Sequence, residues 1–382
     1  MKNVNSLNID IDTCRYRAMI GTGGIGAGMF FALNGNHTLG REESRSGHFI
    51  DRRDYCKLHI VSHYVQTLLG AAFSTFPIGM IGDDEPGNTL YREMKEAGLD
   101  LKYVEKLPKV RTLFSFCFIY PDDSGGNMTT DDSASSRVSP AAIGQAEEVF
   151  KRYGPRGVGL AVPEVSLDAR FSLLELATRY ALYRVASFTA GEIREMGDSE
   201  IFRKIDLLTL NLEELMQFIG AGEQELMDDD AVDEAVGRVS VRYPHLHLTV
   251  TAGGRGSWSW DGERLAFFPS ADAEVASTAG AGDAFLAGII AGLTAGLPLH
   301  EAQQLGTLVG SLSVTSPHTI HKGIDRHSLS RFFRRAGMRF HRQLHGSLGC
   351  RGDEKISVLS DASVSGIIRR LYCITLQLNT SL

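Results

Sequence analysis

The chain has few cysteines, little tryptophan, no long apolar run and no excess of basic charge. Its five cysteines are an odd number, scattered without C-x-x-C spacing among 382 residues, which argues against a disulfide framework. We therefore expect reduced thiols at all five positions. They are Cys14, Cys56, Cys117, Cys350 and Cys373.

The missing apolar run argues against a membrane-spanning protein, and the missing basic charge argues against a protein that binds nucleic acid. The longest apolar stretch, Ala284 to Leu297, is too short and too rich in glycine to span a bilayer, and the N-terminus has no hydrophobic signal region. We expect a cytoplasmic protein without a membrane partner. A net charge of −7 gives no general attraction to nucleic acid, so an anionic substrate would need a local basic site.

The apolar residues that are present, 43% of the chain, can form the core of one large α/β domain. From Ala141 to Thr251, helical and strand-like segments alternate with short links, which predicts a parallel sheet covered on both faces. We predict a doubly wound, mostly parallel sheet over residues 15–330, with ligands at the carboxyl ends of its strands. The arginine-rich residues 336–382 are predicted to be an appendage of unknown role.

Small residues and a carboxylate stand together at Gly280, Ala281, Gly282 and Asp283, between a strand-like segment and an apolar helix. The small residues allow a sharp turn, and the first-turn N–H groups and helix dipole form an anion site suited to a phosphoryl group. A carboxylate there is explained if it takes a proton from an attacking hydroxyl. An acidic residue that merely starts a core helix explains Asp283 alone equally well.

Two other strand ends carry polar groups. Asn211 ends a strand and Glu214 follows one turn later, so both can face one site, although a capping box explains the pair equally well. The strand His247–Thr251 enters a glycine loop that, without its neighbours, would be an ordinary turn.

The segment from Ser277 to Asp283, Ser-Thr-Ala-Gly-Ala-Gly-Asp, resembles the Asp-Thr-x-Gly-Ala-Gly-Asp signature of the ribokinase-like (PfkB) carbohydrate kinases. Asn211 to Glu214 is similar to the family's Asn-x-x-Glu motif. Thr251, Gly253 and Gly256 match its Thr-x-Gly-x-x-Gly nucleotide loop. The resemblance extends from about residue 18 to residue 325.

This resemblance implies an ATP-dependent kinase that phosphorylates an alcohol of a sugar, polyol or nucleoside-like small molecule. Asp283 would be the general base, and the N–H groups from Gly280 to Asp283 would hold the developing charge. Asn211 and Glu214 would organise Mg²⁺, largely through water. A small β lid would be built from parts of 30–60 and 110–135, with a homodimer through the lid as a further expectation. The implied nucleotide contacts are Asn211, Thr251, Gly253, Gly256 and Thr307.

The acceptor side departs from the family pattern. An Asp after the first strand and a Gly-Gly-x-x-x-Asn helix start are both missing, and Gly26 and the segment 56–61 stand there instead. We therefore expect an acceptor other than an ordinary sugar bound in the family's usual way. Arginines in the polar segment 34–45 favour a carboxylate or phosphate on it, although a solvated lid edge explains them equally well. The candidate acceptor contacts are Gly23, Gly24, Arg41 and Glu164.

Several alternatives accompany this interpretation. Gly21, Gly23 and Gly26 also match the dinucleotide fingerprint, with Glu42 as the ribose-binding acid. A regulatory or ligand-binding protein that has lost its acceptor chemistry is another possibility. The segment 111–126 suits an edge hairpin of the main sheet as well as a lid, and the periodic apolar residues in 48–69 predict one helix over that range. Ser277 in place of the family's first Asp leaves open whether a monovalent cation is used.

Overall fold

The computed structural model describes residues 14–122, 124–221 and 229–336. Within these ranges, nine strands form the main sheet in the order β13-β12-β11-β10-β9-β8-β1-β4-β5. All neighbouring pairs are parallel except β11 with β12 and β12 with β13. The strands are β1 Ala18–Thr22, β4 Ser74–Gly82, β5 Val104–Leu107, β8 Gly157–Ala161, β9 Tyr183–Ala186, β10 Leu207–Asn211, β11 His247–Thr251, β12 Gly256–Trp260 and β13 Leu265–Pro269.

Helices cover both faces of this sheet, because its central strands are apolar throughout and bury both faces. One core cluster contains side chains of α1, α9, α10 and α11, and the other contains side chains of α3 to α5, α7 and α8. The predicted doubly wound fold is confirmed. The helices are α1 Lys57–Leu69, α2 Glu85–Glu96, α3 Pro140–Gly144, α4 Glu147–Tyr153, α5 Leu167–Arg179, α6 Ala190–Met196, α7 Leu212–Ile219, α8 Asp229–Arg242, α9 Ala281–Thr294, α10 Leu299–Ser313 and α11 Arg326–Ala336.

A smaller sheet, here called the lid sheet, has the strand order β3-β2-β6-β7. Its strands are β2 Gly26–Leu33, β3 Gly47–Tyr55, β6 Leu113–Ile119 and β7 Gly125–Thr129. The predicted small second sheet is therefore present, and the segment 111–126 contributes to it rather than to the edge of the main sheet. The predicted domain limits at 15 and 330 stay a prediction, and residues 337–382 of the predicted appendage lie outside the described residues.

One expectation and one alternative from the N-terminal third are wrong. The range 48–69 is not one helix, because 47–55 pairs with β2 as strand β3 and the periodic apolar residues all fall inside α1, which begins at Lys57. The dinucleotide fingerprint also fails. The glycine turn after β1 leads into strand β2 instead of a helix, and Glu42 lies in an exposed turn.

No helix within the described ranges combines the length and the apolar character needed to cross a membrane. The cytoplasmic location expected from the sequence remains a prediction.

Candidate active site

The loop that begins α9 depends on a glycine with a left-handed backbone. Gly280 has φ of 77°, and a Cβ atom built on it would lie 2.8 Å from the carbonyl oxygen of Thr319. The helix starts at Ala281, which places Asp283 in its first turn, as predicted. A Cβ atom on Gly282 would meet nothing within 4 Å, so the start of α9 faces open space. First-turn N–H groups have no intrahelical acceptor, and of those in α9 the N–H of Ala281 donates to the carbonyl of Thr278 at 3.2 Å.

Asp283 lies beside a lysine that the sequence analysis did not single out. The Nζ atom of Lys57, the first residue of α1, is 3.6 Å from Oδ1 of Asp283. The Asp283 side chain is only 13% exposed, and burial raises the pKa of its carboxyl while the charge of Lys57 acts to lower it. The pKa of Lys57 is raised, chiefly by the charge of Asp283. A largely buried carboxylate and a cation therefore lie next to each other at the starts of two helices.

Glu164 follows β8 and holds the beginning of α1. Its backbone has φ of 79°, unusual for a residue with a side chain, and its Oε2 accepts a hydrogen bond of 3.0 Å from the N–H of Lys57. Burial raises the pKa of its carboxyl to about 7. Glu164 also lines the cavity next to Asp283, where the sequence analysis placed an acceptor contact.

Gly23 and Gly24 lie behind Glu164 and outside the cavity lining. The N–H of Gly24 donates to the carbonyl of Pro163 at 2.9 Å, and a Cβ atom on Gly24 would come within 2.4 Å of Oε2 of Glu164. A Cβ atom on Gly23 would lie 2.3 Å from Cγ2 of Val162. The two glycines thus allow the segment after β8 to approach, and so position Glu164 instead of forming the cavity wall.

The cavity in front of Asp283, here called the acceptor cavity, has a volume of about 540 Å³. The lid sheet, the start of α1, Glu164 and the loop 275–280 surround it. Among the described residues, five charged side chains line it, namely Arg52, Asp54, Lys57, Glu164 and Asp283.

The structure does not bring Arg41 to this cavity. Arg41 is in an exposed turn and is absent from the residues that line the cavity. The nearby Arg45 forms an ion pair of 2.6 Å with Glu43 and donates to the carbonyl of His37. The segment 34–45 is therefore a solvated edge of the lid, the alternative that the sequence left open, and the arginine that does line the cavity is Arg52.

A second cavity of about 610 Å³, the donor cavity, lies on the other side of the same loop. Ala281 and Gly282 of the helix start line it, and Val275 and Thr278 line both cavities, so the two meet at the loop that begins α9. The structure brings together four of the predicted nucleotide contacts here, which are Thr251, Gly253, Gly256 and Thr307. The hydroxyl of Thr307 forms hydrogen bonds with the hydroxyl of Ser257 and with the carbonyl of Gln303.

Asn211 and Glu214 form the capping box that local physics predicts. Asn211 Oδ1 accepts from the N–H of Glu214, and Glu214 Oε2 accepts from the N–H of Asn211, both at 2.8 Å. Burial raises the pKa of Glu214 to about 7, while the charge of Lys57 acts to lower it and that of Asp283 to raise it. Neither Asn211 nor Glu214 is among the residues that line the two cavities.

This pair can accommodate a divalent cation. The Oε1 atom of Glu214 takes no part in the capping bonds, and a cation beside it would favour the ionised form that burial opposes. The described residues contain no cluster of three or more His, Cys, Asp or Glu side chains arranged for a metal. Mg²⁺ accepts such sparse protein ligation when water and phosphate oxygens complete its shell. At the family's cation position, Ser277 instead accepts a hydrogen bond from the N–H of Ala279.

The fold and the two cavities on one glycine loop define a ribokinase-like architecture. Ribokinase from Giardia lamblia superimposes with a TM-score of 0.70 at 16% identity, over 84% of this chain and 99% of that one. Ribokinase from Cryptococcus neoformans in complex with ADP gives a TM-score of 0.68 at 19% identity, over 83% and 99% of the two chains.

The model of the pfkB family carbohydrate kinases matches residues 61–325, and the chain belongs to that family. Ribokinase from Lactococcus lactis is 24% identical over 237 residues, which are 62% of this chain and 72% of the relative. A 5-dehydro-2-deoxygluconokinase from Geobacillus thermodenitrificans is 26% identical over 261 residues, 63% and 72% of the two chains. The predicted family is confirmed, as is the predicted class of phosphotransferase with an alcohol acceptor.

Proposed function

We propose that the chain transfers the γ-phosphoryl group of ATP to an alcohol of a small polyhydroxy acceptor. One observation carries the proposal. The buried Asp283, with Lys57 Nζ at 3.6 Å, lies where the donor and acceptor cavities meet. This arrangement puts a base and a cation at the one place that both reactants can reach.

In the proposed reaction, ATP occupies the donor cavity beside Thr251, Gly253 and Gly256. A hydroxyl in the acceptor cavity attacks the γ-phosphorus, and Asp283 takes its proton as the new P–O bond forms and the bond to ADP breaks. The raised pKa of Asp283 makes its carboxylate a stronger base than an exposed aspartate. The first-turn N–H groups of α9 and the ammonium group of Lys57 stabilise the charge on the transferred group.

Asn211 and Glu214 would hold Mg²⁺ in this proposal, largely through water. When bound, the ion would neutralise charge on the nucleotide phosphates. Glu214 has a carboxylate oxygen available for that purpose beyond its capping bond.

The direct test is ADP formation by the purified chain with ATP and Mg²⁺ against a panel of sugars, polyols and nucleosides. We expect at least one acceptor to give stoichiometric ADP and a phosphorylated product. Tight ATP binding without transfer to any acceptor would contradict the proposal and favour the alternative of a regulatory protein on a kinase fold.

We also propose that two copies associate through the lid sheet. Its outer face carries the aromatic cluster of Phe31, Phe49 and Phe116, whose ring centroids lie 5.1 to 6.5 Å apart. Met29, Phe49, Phe114 and Met128 are exposed there, and a contiguous apolar face of this kind is typical of an interface. Sedimentation should give a dimer for the native chain and a monomer for Phe49→Asp, and a native monomer would contradict the proposal.

A further inference from the structure

Asp54 is a buried carboxylate that neither the family motifs nor the proposed transfer step uses. It lies near the end of β3 on the inner face of the lid sheet, is only 6% exposed, and lines the acceptor cavity. Within the described residues it forms no ion pair with Lys, Arg or His. The thiol of Cys117 donates to its Oδ2 at 3.4 Å, and a thiol is a weak donor.

The strand register places Asp54 in one row with a glycine and Ser115. Gly28 of β2 lies opposite Asp54 on one side and opposite Ser115 of β6 on the other. A Cβ atom on Gly28 would come within 2.3 Å of the Ser115 carbonyl oxygen, so Ser115 packs closely over Gly28, which contributes no side chain to this row. Burial raises the pKa of Asp54, and the neutral donors around it, Ser115, Cys117 and Thr319, act to lower it. A buried carboxylate held mainly by weak or neutral donors is well suited to accept hydrogen bonds from the hydroxyls of a ligand.

The charges of the cavity favour an uncharged ligand. Three carboxylates, those of Asp54, Glu164 and Asp283, line it together with two cations, Arg52 and Lys57. The ammonium group of Lys57 already lies 3.6 Å from the carboxylate of Asp283. An acceptor with its own carboxylate or phosphate would meet two further carboxylates, one on the lid sheet and one after β8, and like charges in a buried site repel strongly.

We propose that Asp54 binds the hydroxyls of an uncharged polyhydroxy acceptor and determines which acceptor is used. This inference rests on the proposed kinase function. The carboxylate of Asp54 lies on strand β3. The position after strand β1, where the resemblance implies an aspartate, holds Gly26 instead.

The test compares Asp54→Asn with Asp51→Asn, an exposed aspartate on the same strand, as the matched control. D-Ribose, D-fructose, myo-inositol and adenosine are the acceptor probes, each beside a phosphorylated relative. For the best neutral acceptor, Asp54→Asn should raise KM by about tenfold or more, because a charged hydrogen bond to a substrate hydroxyl is lost. The KM for ATP and the thermal midpoint should stay at native values, and Asp51→Asn should match the native chain in every respect.

Single-deoxy analogues of that acceptor sharpen the test. Removing the hydroxyl that Asp54 binds should raise KM for the native chain, and Asp54→Asn should then cost nothing further with that analogue. An unchanged acceptor KM in Asp54→Asn would overturn the inference and leave the kinase function intact. Equal losses in acceptor KM, ATP KM and thermal midpoint would also overturn it, in favour of a structural role. Failure of the native chain to phosphorylate any probe would instead contradict the proposed function, and this inference with it.

Discussion

The donor and acceptor cavities share one loop and are similar in size, yet their walls differ in chemistry. Glycines and small hydroxyl side chains form most of the donor wall, and Asp272 is the one charged residue among those that line it within the described ranges. Five charged side chains line the acceptor cavity. One wall is suited to hold a nucleotide by backbone shape, and the other is suited to recognise and activate a ligand by charge.

Asp283 lines the acceptor cavity and would act on both reactants in the proposed reaction, so its loss should have the largest effect on this comparison. Asp283→Asn keeps the shape of the loop and removes the base. Turnover should fall by about 10²- to 10⁴-fold, while the dissociation constant for ADP stays within about twofold. Steady-state kinetics and calorimetry measure the two quantities. Turnover close to the native value would show that Asp283 is not the base.

Lys57 is the next most sensitive residue of the acceptor wall. Lys57→Met should lower turnover by about 10²-fold, because the transferred phosphoryl group loses a cation. The loss also removes the charge that lowers the pKa of Asp283, so the acid limb of the pH–rate profile should move to higher pH. Lys95→Met, an exposed lysine of α2, is the control. An acid limb at an unchanged pH would show that Lys57 does not lower the pKa of Asp283.

Glu164 should make the free energy of unfolding depend on pH. Its folded pKa of about 7 lies above the usual value for a glutamate, so the folded chain binds a proton that the unfolded chain releases between about pH 4.5 and 7. The stability of the native chain should therefore fall, relative to Glu164→Gln, as pH rises through this window, by about 3 kcal/mol at most. Urea unfolding at pH 5 and pH 8 measures the difference. A Glu164→Gln variant that loses more stability than the native chain at high pH would contradict the assignment.

Substitutions of Arg52 and Arg41, the two arginines near the lid sheet, should give the smallest effects on the acceptor KM. Arg52→Ala should change the acceptor KM by about threefold or more, because Arg52 lines the cavity, whereas Arg41→Ala should leave it within about twofold. Parallel kinetics with one neutral acceptor provide the measurement. The reverse order of effects would restore the segment 34–45 as part of the acceptor site.

The difference between the walls of the donor and acceptor cavities explains which site residues the sequence could predict. The donor wall is made mostly of short loops that follow a strand or start a helix, so local spacing identified Ala281, Gly282 and the glycines after β11. The acceptor wall is assembled from β3, α1, β6 and the segment after β8, which are far apart in the chain. No local pattern connects Asp54 with Cys117 or Glu164 with Lys57.

The incorrect prediction of a helix over 48–69 also prevented the prediction of several residues of the acceptor cavity. An apolar pattern that belongs only to α1 was extended backward over β3, and this hid the strand that carries Arg52 and Asp54. It also hid the boundary at Cys56, after which Lys57 begins a helix and faces the catalytic loop. A polar residue near the end of a strand, followed three residues later by a lysine at a helix start, was the signal available in the sequence.

The central claim is that Asp283 and Lys57 act as one unit where the two cavities meet, and a double-variant cycle tests it most directly. Turnover is measured for the native chain, Asp283→Asn, Lys57→Met and the double variant with one acceptor. Because residues that act together lose their effect together, we predict that the double variant turns over about as slowly as Asp283→Asn alone. Losses that multiply, so that the double variant turns over about 10²-fold more slowly than Asp283→Asn alone, would show that the two residues act independently and would contradict this account.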